Sequence, residues 1–326
     1  MQFYDIIYSM PLVIEKNQIN DWLAGLKKSF SVIRTEKSVL PARHASAGVA
    51  GGPAKQYFFP PREEIFSFNK VSGRLASPDC KKKILIVCSH LGELEAMTQL
   101  DEIMKTPEPD CYYWQKRERS VLVGIIDQSI ETAAGGDLIL EKINEKQYRA
   151  MVLTDKGKKL IRKEFFKEVK EPKVKKYPPE TKPLKDLLLD PELLAEAVVW
   201  SWQVKHKIWD ELGKKCLGCG ICTYVCPICH CFSIEDRVGL DDENCVRCRQ
   251  WDACTLPGFA QVAGGHNFHQ TIKERYYNWF YHKFVRAYQE YGRAQCVACG
   301  QCGRFCPAGI SIERVLMEIV EDYKKK

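Results

Sequence analysis

Thirteen of the sixteen cysteines fall between residues 216 and 306, and eight of these form two copies of one short pattern. The first copy is CLGCGICTYVCP, beginning at Cys216, and the second is CVACGQCGRFCP, beginning at Cys296. Both match C-x2-C-x2-C-x3-C-P, in which three closely spaced thiolates wrap three corners of a cubane and the fourth cysteine binds the other cluster. The spacing therefore predicts two [4Fe-4S] clusters.

The fourth cysteine of each copy is expected to cross to the cluster of the other copy. The first predicted ligand set is Cys216, Cys219, Cys222 and Cys306. The second predicted ligand set is Cys296, Cys299, Cys302 and Cys226. This crossing would join two chain segments that are separated by an insert of 69 residues.

Structural zinc is the alternative for C-x2-C patterns, but zinc needs only four ligands, usually as two pairs. It does not account for the third cysteine, the fourth cysteine and the proline of each copy. Five more cysteines lie in the insert, namely Cys229, Cys231, Cys245, Cys248 and Cys254. They leave three alternatives open: a third iron–sulfur cluster, a zinc site, or unligated core thiols. The histidines His230, His266 and His269 are candidate ligands of such a site, but the preferred interpretation is that they are helix or packing residues.

Composition narrows the class of protein further. The net charge is +7, but the basic residues are spread along the chain and are densest at 156–176 and 324–326, which favours a solvated face over a nucleic-acid surface. No apolar run is long enough to cross a bilayer, and the first residues lack the features of a secretory signal. We expect a cytoplasmic protein, in which cysteines bind metal instead of forming disulfides.

The hydrophobic pattern predicts an α+β chain. Apolar runs at residues 84–88, 120–126 and 150–153 predict strands of an N-terminal mixed α/β docking domain, residues 1–167. The prolines of FFPPREEIF, residues 58–66, predict a helix start. A linker rich in proline and lysine follows at residues 168–188. Residues 189–326 are predicted to form an α-helical ferredoxin-like dicluster domain.

The insert is predicted to be mostly helical. From His266 onward, HNFHQTIKERYYNWFYHKFVRAYQEYG has aromatic residues at helical spacing, with arginine and lysine expected on the other faces. The aromatic stripe is interpreted as core instead of a base-stacking surface.

Motifs in the C-terminal third resemble the beta subunit of cytoplasmic sulfhydrogenases and the related A subunit of anaerobic sulfite reductase. The strongest matches are the segments 216–232, 249–254, 265–275, 282–284 and 296–307. Weaker matches are FFPPREEIF, the strand that ends at Cys88, the pair Leu100 and Asp101, and YYWQKRER at residues 112–119. Cys245 and Cys248 look additional to the family pattern, and the family cysteines that follow the strand at 120–126 are replaced here by DQSIETAAGGD. These departures suggest a divergent branch without a metal site after that strand.

The resemblance implies a subunit of an anaerobic oxidoreductase complex with no substrate chemistry of its own. It would relay single electrons between a flavin-containing NAD(P)H-type subunit and a catalytic subunit of the hydrogenase, sulfur or sulfite reductase, or heterodisulfide reductase type. One alternative is a catalytic subunit that reduces sulfur or a disulfide at an additional cluster in the insert. Another is a zinc-stabilised protein that binds nucleic acid.

Overall fold

The computed structural model describes residues 11–35, 52–78, 82–130, 135–170, 172, 174–178, 183–240 and 243–326. The chain forms two compact units, one from residues 1–59 and 79–180 and the other from residues 60–78 and 181–326. The second unit thus includes a segment that the sequence analysis assigned to the N-terminal domain, residues 1–167. Cys80, residues 1–10 and part of DQSIETAAGGD, residues 131–134, lie outside the described residues.

The first unit is built on a sheet that has seven strands in the described part of the chain, in the order β2-β5-β6-β7-β8-β1-β9. The strands are β1 Leu12–Glu15, β2 Ser31–Thr35, β5 Ile84–Cys88, β6 Val121–Ile126, β7 Leu138–Lys142, β8 Gln147–Val152 and β9 Phe166–Glu168. Strands β2, β5, β6 and β7 pair in parallel and the others antiparallel. Every residue of β5 is buried, as expected for a parallel strand that is covered on both faces.

Helices cover this sheet and complete its core. They are α1 Ile19–Leu26, α2 Leu91–Ile103, α3 Cys111–Glu118 and α4 Asp155–Lys158, with short 3-10 turns at Lys16–Gln18 and Ala54–Tyr57. The core includes Trp22 from α1 and Val123 from β6, both fully buried. The strands predicted at 84–88, 120–126 and 150–153 are all present, within a few residues of the predicted bounds.

The second unit contains a sheet of four strands within the described residues, in the order β10-β11-β3-β4. Its strands are β3 Arg62–Asn69, β4 Arg74–Ala76, β10 Phe232–Val238 and β11 Asn244–Trp251. The predicted helix start in FFPPREEIF is wrong, because residues 62–69 form a strand that pairs with β11. The prediction of a mostly helical insert is wrong. Within its described residues, β10 and β11 form a hairpin, and helix begins only at Ile272.

Helices make up the rest of the second unit. They are α5 Pro183–Leu187, α6 Pro191–Gln203, α7 Lys207–Lys215, α8 Ile221–Tyr224, α9 Ile272–Phe280, a π-helical turn Tyr281–Arg286, α10 Ala287–Tyr291, α11 Gln301–Arg304 and α12 Ile312–Lys324. Asp190 caps helix α6 by accepting from Leu193 N, and Pro191 lies in the first turn, where a proline needs no N–H partner. Thr271 and Glu274 form a capping box at the start of α9.

The core of the second unit is formed by α5, α6, α7, α9, the π-helical turn and α12. Trp209, Trp279 and Phe280 are among its largest fully buried side chains. The aromatic stripe of the insert is therefore core, as predicted. No helix within the described ranges is long and apolar enough to span a membrane.

Candidate metal centre

The two C-x2-C-G loops adopt the same backbone conformation. Gly218 and Gly220 of the first loop have φ angles of 62° and 76°, and the equivalent Ala298 and Gly300 of the second have 51° and 73°. Each loop ends in a one-turn helix, α8 or α11, that starts directly after the second of these residues. The two cysteine patterns therefore fold as a repeated unit, as their identical spacing predicts.

Backbone amides inside each loop point at the cysteine sulfurs. Gly218 N donates to Cys216 Sγ over 3.4 Å. The matching amide of Ala298 donates to Cys296, and that of Gln301 to Cys299. The left-handed residues turn these N–H groups inward, and such bonds stabilise charge on a sulfur ligand.

The first cavity is lined by all four cysteines of the first predicted set, together with Cys302. Its other walls are largely apolar or aromatic and include Tyr276, Trp279, Ile310 and Ile312. Cys219 is exposed, whereas the other three cysteines of the set are partly buried.

The second cavity is lined by all four cysteines of the second predicted set. Leu184, Ile228 and Val297 contribute apolar wall, and Lys283 contributes the only cationic side chain among the described residues that line it. Cys226 is buried, with 7% of its surface exposed, and the other three cysteines are partly buried. Cys302 lines both cavities, so the two sets of four cysteines lie close to each other.

Burial raises the pKa of five of the eight loop thiols and so disfavours their thiolate form. Desolvation, followed by repulsion from the neighbouring thiolates, raises the pKa of Cys222 to about 12. The same two causes raise the pKa of Cys299 to about 12 and that of Cys302 well above its ordinary value. A metal cluster with several cationic irons would displace these protons, so loading must release protons. Two sets of four soft thiol donors fit iron–sulfur clusters in their chemistry.

Lys283 is the buried cation of the second cavity and was missed by the sequence interpretation. Its side chain is 3% exposed, and its Nζ donates to Cys226 Sγ at 3.3 Å and to Gln295 O at 3.0 Å. Burial acts to lower the pKa of Lys283, but the surrounding cysteine thiolates outweigh burial and raise that pKa well above its ordinary value. The expectation that arginine and lysine lie away from the aromatic stripe is wrong here. Helical spacing from Tyr276, Trp279 and Phe280 was the signal that places residue 283 on the buried face.

The structure separates the five cysteines of the insert into two groups. Cys229 hydrogen-bonds to Cys226, and Cys254 hydrogen-bonds to Cys231. Cys245 and Cys248 lie instead on strand β11, where Arg62 Nη2 donates to Cys248 Sγ at 3.5 Å. In the described part of the chain, no group of three or more cysteine, histidine, aspartate or glutamate side chains is placed to hold a single metal ion.

The three histidines of the insert are placed differently from one another. His230 Nδ1 lies 3.3 Å from Ile228 O. His266 packs its ring edge-on against Phe268, and His269 O accepts from Arg275 Nη1 at 3.2 Å.

Arg275, from the segment 265–275 that carries part of the resemblance, supports the wall of the first cavity. Arg275 is 5% exposed and donates to the carbonyls of Thr255, His269 and Gln270 at 2.7 to 3.2 Å. Because Thr255 lines the first cavity, this arginine fixes part of the cavity wall.

A buried ion pair joins FFPPREEIF to the segment 249–254. Arg249 and Glu63 lie opposite each other on β11 and β3 and form an ion pair, with Arg249 Nε donating to Glu63 Oε1 at 2.9 Å. Their side chains are 5% and 8% exposed. The ion pair joins two strands that are far apart in the sequence.

The weaker motifs of the first unit also come together. Tyr113 Oη donates to Asp101 Oδ1 at 2.6 Å, and Arg117 Nε donates to both oxygens of Asp101 at 3.0 Å. Arg117 and Tyr113 both pack on Phe58. Burial raises the pKa of Asp101, although Arg117 opposes the shift. This network holds α2, α3 and the segment around Phe58 together, which is a structural role.

Comparisons with known proteins agree with the geometry. Residues 215–310 match a family described as a 4Fe-4S dicluster domain. Over 285 residues the chain is 30% identical to sulfhydrogenase 2 subunit beta of Pyrococcus furiosus, which covers 82% of this chain and 83% of that protein. No solved structure matches the chain. The match spans both units and includes every cysteine of the two repeated loops, and we conclude that the chain belongs to the family of sulfhydrogenase beta subunits.

Proposed function

We propose that the eight loop cysteines hold two [4Fe-4S] clusters with crossed ligands. The first cluster would be bound by Cys216, Cys219, Cys222 and Cys306, and the second by Cys296, Cys299, Cys302 and Cys226. One observation carries this assignment: each cavity contains three cysteines of one loop and the fourth cysteine of the other. Uncrossed ligation would need Cys226 in the first cavity and Cys306 in the second, and neither lines that cavity.

The chain supplies what an electron carrier needs. A bound [4Fe-4S] cluster accepts and gives up one electron at a time. The cysteines and loop amides hold the sulfur ligands in place, and apolar residues such as Ile310 and Ile312 keep water away from the cavities. Rigid, partly buried ligands change little between two oxidation states, which favours fast transfer without bond-making chemistry.

The arrangement of elements supports a helical ferredoxin-like domain, extended by a β-sheet. In sequence, helix α7 precedes the first loop and helix α12 follows the second, and α9 with its π-helical turn contributes to the same core. We further propose that the first unit is a docking domain and that the protein acts in the cytoplasm. The predicted linker, residues 168–188, includes the end of β9 and all of α5, so we propose a linker only for the part of this range between those two elements. The proposed ligand set is limited to the eight loop cysteines.

The name of the relative supports a place in a larger complex. Sulfhydrogenase 2 subunit beta is, by its name, one subunit of an assembly. We propose that this chain relays electrons between a flavin-containing NAD(P)H-type subunit and a catalytic oxidoreductase subunit. A flavin that accepts a hydride must release its electrons singly to such a carrier, which is why a flavin subunit fits as the donor.

Anaerobic purification of the full chain from its source tests this function. We expect about eight iron atoms and about eight acid-labile sulfides per chain, together with co-purifying flavin and catalytic subunits. Zinc without iron would contradict the cluster assignment. Turnover of sulfur or a disulfide by the isolated chain would contradict the relay and favour a catalytic subunit.

A further inference from the structure

We propose that the buried ammonium group of Lys283 raises the reduction potential of the second cluster relative to the same site without the charge. This inference depends on the proposed function, because it assumes that Cys226 is a ligand of that cluster. Lys283 is a positioning and tuning residue, and no atom of it needs to bind iron.

The contacts of Lys283 hold its charge at the cavity wall. One Nζ donor bond goes to Cys226 Sγ at 3.3 Å and another to Gln295 O at 3.0 Å. The Nζ also lies 5.6 Å from the ring centroid of Trp279, on which it can rest as a cation on an aromatic face. Because the side chain is 3% exposed, water cannot screen the charge effectively.

The backbone fixes the same residue a second time. Lys283 lies in the π-helical turn Tyr281–Arg286, and its carbonyl accepts from Gln295 N at 2.8 Å. Side chain and main chain of Lys283 therefore both bond to the residue directly before Cys296. A π-helical turn inside an α-helix is uncommon and is often found at functional sites. This pinning leaves the ammonium little freedom to move when the charge in the cavity changes.

Reduction adds one negative charge to a cluster that is already bound by four thiolates. A fixed cation next to a ligand sulfur stabilises the reduced state more than the oxidised state, as does a hydrogen bond to that sulfur. Both effects raise the reduction potential. The first cavity has no equivalent within the described residues that line it. The buried Arg275, which bonds to Thr255 in the wall of the first cavity, donates to three backbone carbonyls.

Three substitutions of Lys283 separate charge from hydrogen bonding in the full chain. Lys283→Arg keeps a charge and donors, Lys283→Gln keeps a donor only, and Lys283→Met keeps neither. EPR-monitored redox titration is the measurement. We expect Lys283→Gln and Lys283→Met to lower the potential of the second cluster, Lys283→Met by more, and Lys283→Arg to stay near the wild type. Lys273→Met, which removes a partly exposed lysine of α9 paired with Asp210, is the matched control and should shift neither cluster.

The second cluster is identified as the one that remains when Cys216 is replaced by alanine. If Lys283→Gln and Lys283→Met both leave its potential at the wild-type value, the proposal is wrong, while intact iron content shows that the two-cluster assignment stands. If Lys283→Met and Lys283→Arg both lose the second cluster, residue 283 acts by packing and the proposal is also wrong. Loss in Lys283→Met with retention in Lys283→Arg supports a need for the charge. A wild-type chain without iron–sulfur clusters would overturn the proposed function and this inference together.

Discussion

The two thiol-lined cavities share a backbone plan but differ in what surrounds it. The first has an exposed cysteine, Cys219, and aromatic walls from Tyr276 and Trp279. The second encloses its cysteines more completely, with Cys226 buried, and places Lys283 against that sulfur. Duplicated loops thus provide two similar ligand sets, while the helices of the insert give each a different electrostatic environment.

The comparison shows that two opposing effects would act on the reduction potential of a cluster in the second cavity. Burial disfavours additional negative charge and therefore lowers a reduction potential, whereas a nearby cation raises it. In the second cavity, greater burial and Lys283 act in opposite directions. The charge of Lys283 would then offset part of the lowering of the reduction potential that burial causes.

Removal of Cys306 should have the largest effect, because it removes a proposed ligand of the first cluster. It also tests whether the fourth cysteine of the second loop binds the first cluster. Cys306 belongs to the second loop in sequence but lines the first cavity. We expect Cys306→Ala to lose the first cluster and about half of the iron, and to leave the same residual EPR spectrum as Cys216→Ala. Cys254→Ala, which removes a buried thiol that lines neither cavity, is the control and should keep both clusters. A residual spectrum like that of Cys296→Ala would contradict the assignment.

A smaller effect is expected from Cys229, which hydrogen-bonds to Cys226. Because a metal-bound Cys226 would be a thiolate without a proton, Cys229 would be the donor in this bond. Cys229→Ala should lower the potential of the second cluster by less than Lys283→Met does, because it removes a weak neutral donor and no charge. Redox titration measures the shift. An equal shift in the first cluster would mean that the two environments are not separate.

The smallest expected effect is on stability and compares the equivalent residues Gly218 and Ala298. Both have positive φ, and a Cβ on Gly218 would meet only Thr255 O at an ordinary 3.5 Å. We expect Gly218→Ala to cost about 1 to 2 kcal/mol of backbone strain. Ala298→Gly should stay within about 1 kcal/mol of the wild type, because relief of strain is offset by greater freedom of the unfolded chain.

Anaerobic thermal unfolding measures this pair of substitutions. Each kcal/mol lost should lower the Tm of the second unit by about 2 to 4 °C. We therefore expect a lower Tm for Gly218→Ala and little change for Ala298→Gly. Equal losses of Tm in the two variants would contradict the claim that both positions have the same left-handed backbone conformation.

Local features of the sequence were sufficient to predict the repeated loops, three strands of the first unit and the aromatic helix of the insert. Cysteine spacing is a short-range signal, and so is the fully apolar run of β5. Strand β3 was missed because its partner β11 is far away in the sequence, and the buried Arg249–Glu63 pair that joins them has no local pattern. Lys283 was missed because a lysine on a helix is usually exposed, although its spacing from the aromatic residues placed it on the buried face.

EPR spectroscopy of the reduced Cys226→Ala chain tests the central claim most directly. Cys226 belongs to the first loop in sequence, so crossed and uncrossed ligation predict the loss of different clusters. Crossed ligation predicts that Cys226→Ala leaves the same residual spectrum as Cys296→Ala, with the first cluster intact. A residual spectrum that matches Cys216→Ala, with the second cluster intact, would contradict the account.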